Sequence, residues 1–74
     1  MRLTDLEIGA RYVARRDFRD DRDVLVLEGD AFTLRRLTSE RGTFALAFDE
    51  ETLYLDEQRQ SEIVEHVDRF LRLI

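Results

Sequence analysis

Nucleophilic catalysis in this chain would have to begin with Ser61 and His66, because His66 is the only histidine and Ser39 is the only other serine. A serine nucleophile needs a base within hydrogen-bond reach and a third group to orient that base. Side chains five residues apart on a helix do not align, and a helix-capping role accounts for Ser61. His66, four residues after Glu62, reads as a satisfied surface histidine. Asp20-Asp21-x-Asp23 has the outline of a cation loop but lacks the glycine turn and distal glutamate of one. Arg19 and Arg22 are interleaved with it and would repel a metal. Asp49-Glu50-Glu51 reads as a hairpin end, and the isolated Gly9, Gly29 and Gly42 form no phosphate-cradling loop. With no cysteine there is no thiolate metal site either. The expectation is a protein that is not an enzyme and uses no cofactor or metal.

The remaining grouping is basic. All 12 basic residues are arginine, which fits the coding bias of a G+C-rich genome as well as guanidinium-specific recognition. Arg15, Arg16, Arg19, Arg22, Arg35 and Arg36 are the candidate partner-binding residues, since strand pairing could bring Arg15-Arg16 beside Arg35-Arg36. Phosphate binding requires net positive charge, yet Asp17, Asp20, Asp21 and Asp23 lie in the same segment. Apart from Phe18, no aromatic residue interleaves with these arginines to stack bases. The leading expectation is a protein-interaction module or small accessory protein, acting through an exposed strand edge or the charged loop from Arg15 to Asp23. Arginine-mediated nucleic-acid binding is the alternative, and self-association through an edge strand, or through Leu73 and Ile74, is compatible with both.

Length and composition bound these readings. At 74 residues the chain has room for one compact core. Its 43% hydrophobic content is ordinary for a globular protein, which argues against disorder despite 39% charged residues. No apolar run approaches the ~20 residues of a membrane helix. The N-terminal sequence shows no secretory signal, so a cytoplasmic location is expected. The net charge of -5 is concentrated after residue 48, and that acidic last third would repel nucleic acid.

The elements that must position these residues follow from side-chain rhythm. Thr4-Asp5-Leu6-Glu7 fits a capping box, with Gly9 closing a short helical turn. Arg11 to Phe18 reads as a strand, with Arg16 marking either a bulge or the point where the strand leaves the core. Arg19 to Asp23 is polar enough to be an exposed loop, and Val24 to Leu27 is a short buried strand. Within Ala31 to Leu37, Phe32 and Leu34 face inward opposite Thr33 and Arg35, before a turn over Thr38 to Gly42. Phe44, Leu46 and Phe48 alternate with Thr43, Ala45 and Ala47, and Leu53 and Leu55 face inward from a last strand. From about Glu57 the period becomes 3.6. Ile63, Val64, Val67, Phe70, Leu71 and Ile74 share one stripe of an amphipathic helix, supported by Glu65 with Arg69 and Asp68 with Arg72.

Over residues 10 to 56, this layout of short strands, a charged loop and a Gly-Asp turn resembles an SH3-like barrel. Leu6-x-x-Gly9-x-x-Tyr12, Phe18, Gly29-Asp30-x-Phe32, the Phe44 to Phe48 strand and the terminal helix also resemble a family of short bacterial proteins of uncharacterised function. Both resemblances imply a mostly β fold, a small antiparallel SH3-like barrel of four to five strands, and the second adds one C-terminal helix packed against it, expected over one opening. The chain has no tryptophan, and Tyr12 is followed by Val13-Ala14-Arg15 rather than an aromatic cluster, so polyproline recognition is unsupported. The expected core is Leu6, Ile8, Tyr12, Phe18, Leu25, Leu27, Phe32, Leu34, Phe44, Leu46, Phe48, Leu53, Leu55, Ile63, Val67, Phe70 and Leu71.

Overall fold

The alternating apolar pattern becomes seven antiparallel strands. The computed structural model describes residues 1–74: β1 (Arg11–Ala14), β2 (Phe18–Arg19), β3 (Leu25–Val26), β4 (Ala31–Glu40), β5 (Thr43–Phe48), β6 (Thr52–Asp56), α1 (Ser61–Glu65) and β7 (Leu71–Leu73). Single 3-10 turns occupy Leu3–Asp5 and Val67–Arg69. Five strands form one sheet in the order β6-β5-β4-β1-β7, and β2-β3 form a separate hairpin. The protein is mostly β, with one short helix near its C-terminal end. No helix is long and apolar enough to cross a membrane.

β4 organises the sheet. Its first residues pair with β1, Arg11 opposite Thr33 and Val13 opposite Ala31, and its remainder pairs with β5. The register shifts between Leu34 and Arg36, so that one extra residue, Arg35, is accommodated as a bulge. Leu34 and Leu37 then share the inner face with Phe48 and Leu46, while Arg35 and Arg36 are both exposed. The strand continues beyond the expected turn to Glu40. Only Arg41 and Gly42 form the connection, at φ 52° and 80°, as a two-residue hairpin turn with two left-handed central residues requires.

The sheet does not close into the expected barrel. β6 and β7 remain its two edges, and the β2-β3 hairpin joins the core through Phe18 and Val26. The core holds 18 buried residues, including most of those expected. Ile8, Leu25 and Leu27 are corrections, because all three are exposed. In Val24 to Leu27 every residue is apolar, so alternation alone could not set the phase. Pairing with β2 sets it, putting Val26 inward with Phe18 and Leu25 outward with Arg19.

The C-terminal segment is the larger correction. A continuous helix from Glu57 to Ile74 is replaced by five helical residues, a 3-10 turn and β7. The amide of Val67 donates to the carbonyl of Met1 at 2.9 Å rather than to its own helix, and the next residues join β1. Arg15 N–H to Phe70 carbonyl (2.8 Å) and Ile74 N–H to Arg11 carbonyl (3.0 Å) frame that ladder. Ile74 is exposed rather than part of a buried stripe. Glu65 and Asp68 find Arg2 and the Met1 amino group, at 3.6 and 3.1 Å, instead of Arg69 and Arg72. At the N-terminus the cap also differs: the turn covers Leu3–Asp5 instead of following Thr4, and the Asp5 carboxylate, rather than Glu7, reaches back, to the amide of Arg2 at 2.9 Å.

Candidate functional site

A strand at the edge of a sheet presents every second N–H and C=O to whatever lies beside it. On β6 these outward groups belong to Thr52, Tyr54 and Asp56, because the ladder to β5 uses those of Leu53 and Leu55. The chain's own loops occupy two of the three positions. Tyr54 N–H donates to Asp20 Oδ2 at 3.0 Å, and the Tyr54 carbonyl accepts from Asp21 N–H at 2.7 Å. Asp56 N–H donates to Gln60 Oε1 at 3.1 Å, and its carbonyl accepts from Gln60 N–H at 3.0 Å.

Asp20 holds this closure together. It is only 5% exposed, which corrects the reading of Arg19 to Asp23 as a wholly exposed loop. Its Oδ1 accepts from the amides of Arg22 and Val24, each at 2.8 Å, as a side-chain-mediated turn, while Oδ2 reaches β6. Both carboxylate oxygens are therefore engaged by backbone donors. Asp23 adopts a left-handed φ of 67° to complete the turn. Arg22 lies over the Tyr54 ring at 3.7 Å, Arg59 reaches Asp21 at 3.3 Å, and Gln60 Nε2 donates to the Arg19 carbonyl at 2.8 Å.

β7 has no such cover. Its ladder to β1 consumes the backbone groups of Phe70, Arg72 and Ile74, which turns those of Leu71 and Leu73 toward the open side. Leu73 is 54% exposed and Ile74 67%. Beneath this edge lies a cavity of about 240 Å³ whose apolar lining comes from Met1, Tyr12, Leu71 and Leu73. Asp5, Glu7 and Asp68 contribute its acidic groups, and Arg15 and Arg72 its basic ones. Tyr12 is fixed there by accepting the Glu7 amide at 2.8 Å. The Asp68 carboxyl is held below the usual range, first by its hydrogen bond to the Met1 amino group.

The six candidate arginines are dispersed. Hydrogen bonds join Ala14 to Asp30 and Ala10 to Leu34, so antiparallel pairing carries Arg15-Arg16 to one end of the β1-β4 ladder and Arg35-Arg36 to the other. About 20 Å of strand separates them. Arg15 donates to the Asp68 carbonyl, Arg16 lies 4.9 Å above the Phe70 ring, and Arg19 pairs with Asp23. Arg35 forks both oxygens of Asp49, which lowers the Asp49 pKa and raises that of Arg35, chiefly through the hydrogen bond. Arg22 stacks on Tyr54, and Arg36 is exposed with no carboxylate within ion-pair distance. Ser61 is the first residue of α1 and His66 follows its last turn, with both exposed.

Sequence reasoning missed the β7 edge and the β6 closure. The turn-forming residue types Asp20 and Asp23 were the available signal for a turn there. For β7 the signal was the run of bulky residues from Phe70 to Ile74, which suits a strand as well as a helix.

No family model matches the chain, and no curated protein does. Among solved structures, the fold is similar to that of an integron cassette protein from the mobile metagenome of Vibrio cholerae, VCH_CASS4. The TM-score is 0.88 at 24% identity, covering 96% of this chain and 88% of that one. That likeness is one of fold.

Proposed function

We propose that the protein is a non-catalytic, cytoplasmic interaction module whose binding element is the β7 edge. The supporting observation is the contrast between the edges of one sheet: the chain covers two of the three outward positions of β6 with its own loops and leaves β7 open beside an apolar cavity. Strand addition suits such a site, because backbone hydrogen bonds supply affinity and pockets for alternate side chains supply specificity. The separation of Arg15-Arg16 from Arg35-Arg36 and the Arg35-Asp49 fork weigh against the phosphate-binding patch those four would have made.

Leu73→Pro tests this reading. Proline there removes an amide that points to the open side and leaves the inward bonds of Arg72 and Ile74 in place. Affinity capture from a native bacterial lysate is expected to retain partners on the natural chain that the folded variant loses. Identical captured sets would overturn the edge as the binding element. Single-stranded RNA or duplex DNA bound with steep salt dependence, equally by both proteins, would favour the nucleic-acid alternative.

A further inference from the structure

The charges around β7 specify more than an open edge. Arg72 projects from the outer face, opposite Val13, Arg11 lies on that same face of β1 at a diagonal position, and Arg15 follows β1 directly. None of the three has a carboxylate within ion-pair distance. Arg11 donates to Thr33 Oγ1 and Arg15 to the Asp68 carbonyl, both at 3.0 Å. Arg15 and Arg72 line a second, shallow depression on this face, where Glu28 is the one acid and forms no ion pair with either. The inner side differs in character: the cavity there has an apolar lining of Met1, Tyr12, Leu71 and Leu73, with Asp5, Glu7 and Asp68 beside the same Arg15 and Arg72. The edge therefore has a basic outer face and an inner one that is apolar, with a rim of both signs.

On the reading proposed above, we infer that the occupant of β7 is an extended segment of alternating acidic and apolar residues, its carboxylates beside Arg72, Arg15 and Arg11 and its apolar side chains toward the cavity. A strand places alternate residues on opposite faces, so one segment can satisfy both sides at once. Carboxylates at every position would place half of them against the apolar lining of the cavity, where a charge is costly to desolvate. Basic residues in place of the acidic ones would face three arginines. A second copy of this chain is a poorer occupant. The two-fold pairing that joins Leu71 of one copy to Leu73 of the other sets Arg72 against its own copy, and like charges directly opposite are destabilising.

The test uses the full chain with three blocked eight-residue peptides: alternating Glu-Val, alternating Lys-Val, and all-Glu. Binding is followed by fluorescence anisotropy and by amide chemical shifts of Leu71 and Leu73. The Glu-Val peptide is expected to bind about tenfold more tightly than either of the others, to weaken with salt, and to be lost with Leu73→Pro. Arg72→Glu is expected to remove most of the preference for Glu-Val over Lys-Val. Glu-Val and Lys-Val binding equally, with both lost in Leu73→Pro, would overturn the acidic occupant and leave the edge reading standing. Glu-Val binding that Leu73→Pro does not reduce would overturn the placement on β7. Failure of Glu-Val to bind would overturn the inference, whereas the lysate comparison judges the edge reading separately. Tighter binding of a single-stranded RNA oligomer that Arg72→Glu abolishes would also overturn it.

Discussion

The two edges of one five-stranded sheet meet the same physical problem in opposite ways. At β6, backbone groups that would invite another strand are bonded to Asp20, Asp21 and Gln60. At β7, the equivalent groups of Leu71 and Leu73 face outward beside exposed apolar side chains. Natural sheets ordinarily blunt both edges, because an unpaired strand recruits other chains. Closing one and leaving the other open sets a direction on the molecule, and the open end is where recognition is expected.

The largest effect should come from Phe70→Ala. Phe70 is buried, meets the Phe18 ring edge-on at 5.7 Å and leads directly into β7. Its truncation should cost about 3 to 5 kcal/mol in denaturant unfolding and loosen β7 before β6. Loss of stability with amide protection of Arg72 and Ile74 unchanged would mean that Phe70 does not anchor the edge.

Next is Asp20, where the two edges can be made alike. Asp20→Ala leaves the Arg22, Val24 and Tyr54 amides without their acceptor and should cost about 3 kcal/mol. Asp20→Asn can keep the Oδ1 bonds, but it turns an amide donor toward Tyr54 N–H. It should cost less, about 1 to 2 kcal/mol, and selectively expose β6, giving concentration-dependent association in sedimentation experiments. An Asp20→Asn protein that remains as monomeric as the natural chain would show that Asp20 does not guard this edge.

A smaller effect is expected at Arg22. Arg22→Ala removes the guanidinium over Tyr54 and should cost about 0.5 to 1 kcal/mol. A thermal midpoint shift as large as that of Asp20→Ala would assign the closure to stacking rather than to the carboxylate.

The smallest is a pH effect. Asp49, Asp56 and Asp68 all have lowered pKa values. The first causes are the Arg35 hydrogen bond for Asp49, the Arg59 amide for Asp56 and the Met1 amino group for Asp68. A folded-state value below the unfolded one, about 3.9 for aspartate, gives stability that is present above the unfolded value and lost as pH falls through the folded one. Unfolding midpoints should therefore hold from pH 7 to about 5 and decline below about 4. Asp56→Asn should flatten that decline slightly, because the Gln58 and Arg59 amides then meet a neutral acceptor. A decline beginning near pH 6 would assign it to other groups.

Much of the sheet was legible in the sequence. Phe44, Leu46 and Phe48 alternate with small residues and fix β5, and Leu53 with Leu55 fixes the phase of β6. The Arg35 bulge was visible only as Leu37 falling out of step with Phe32 and Leu34. The C-terminal error has a definite cause. Ile63, Val64, Val67, Phe70 and Leu71 satisfy helical spacing, yet Val67 gives its amide to Met1 and β1 offers Phe70 to Ile74 a ladder. Tertiary hydrogen bonds that no local window contains therefore override the period. Of the β6 closure only the turn-forming Asp20 was legible; its bond to Tyr54 was not, since the two meet across 34 positions.

Amide hydrogen exchange followed residue by residue, in dilute solution, tests the asymmetry directly. Tyr54 and Asp56 should exchange slowly, as should Arg72 and Ile74, whereas Leu71 and Leu73 exchange fast within the same strand. Protection of Leu71 and Leu73 equal to that of Tyr54 would contradict an open β7.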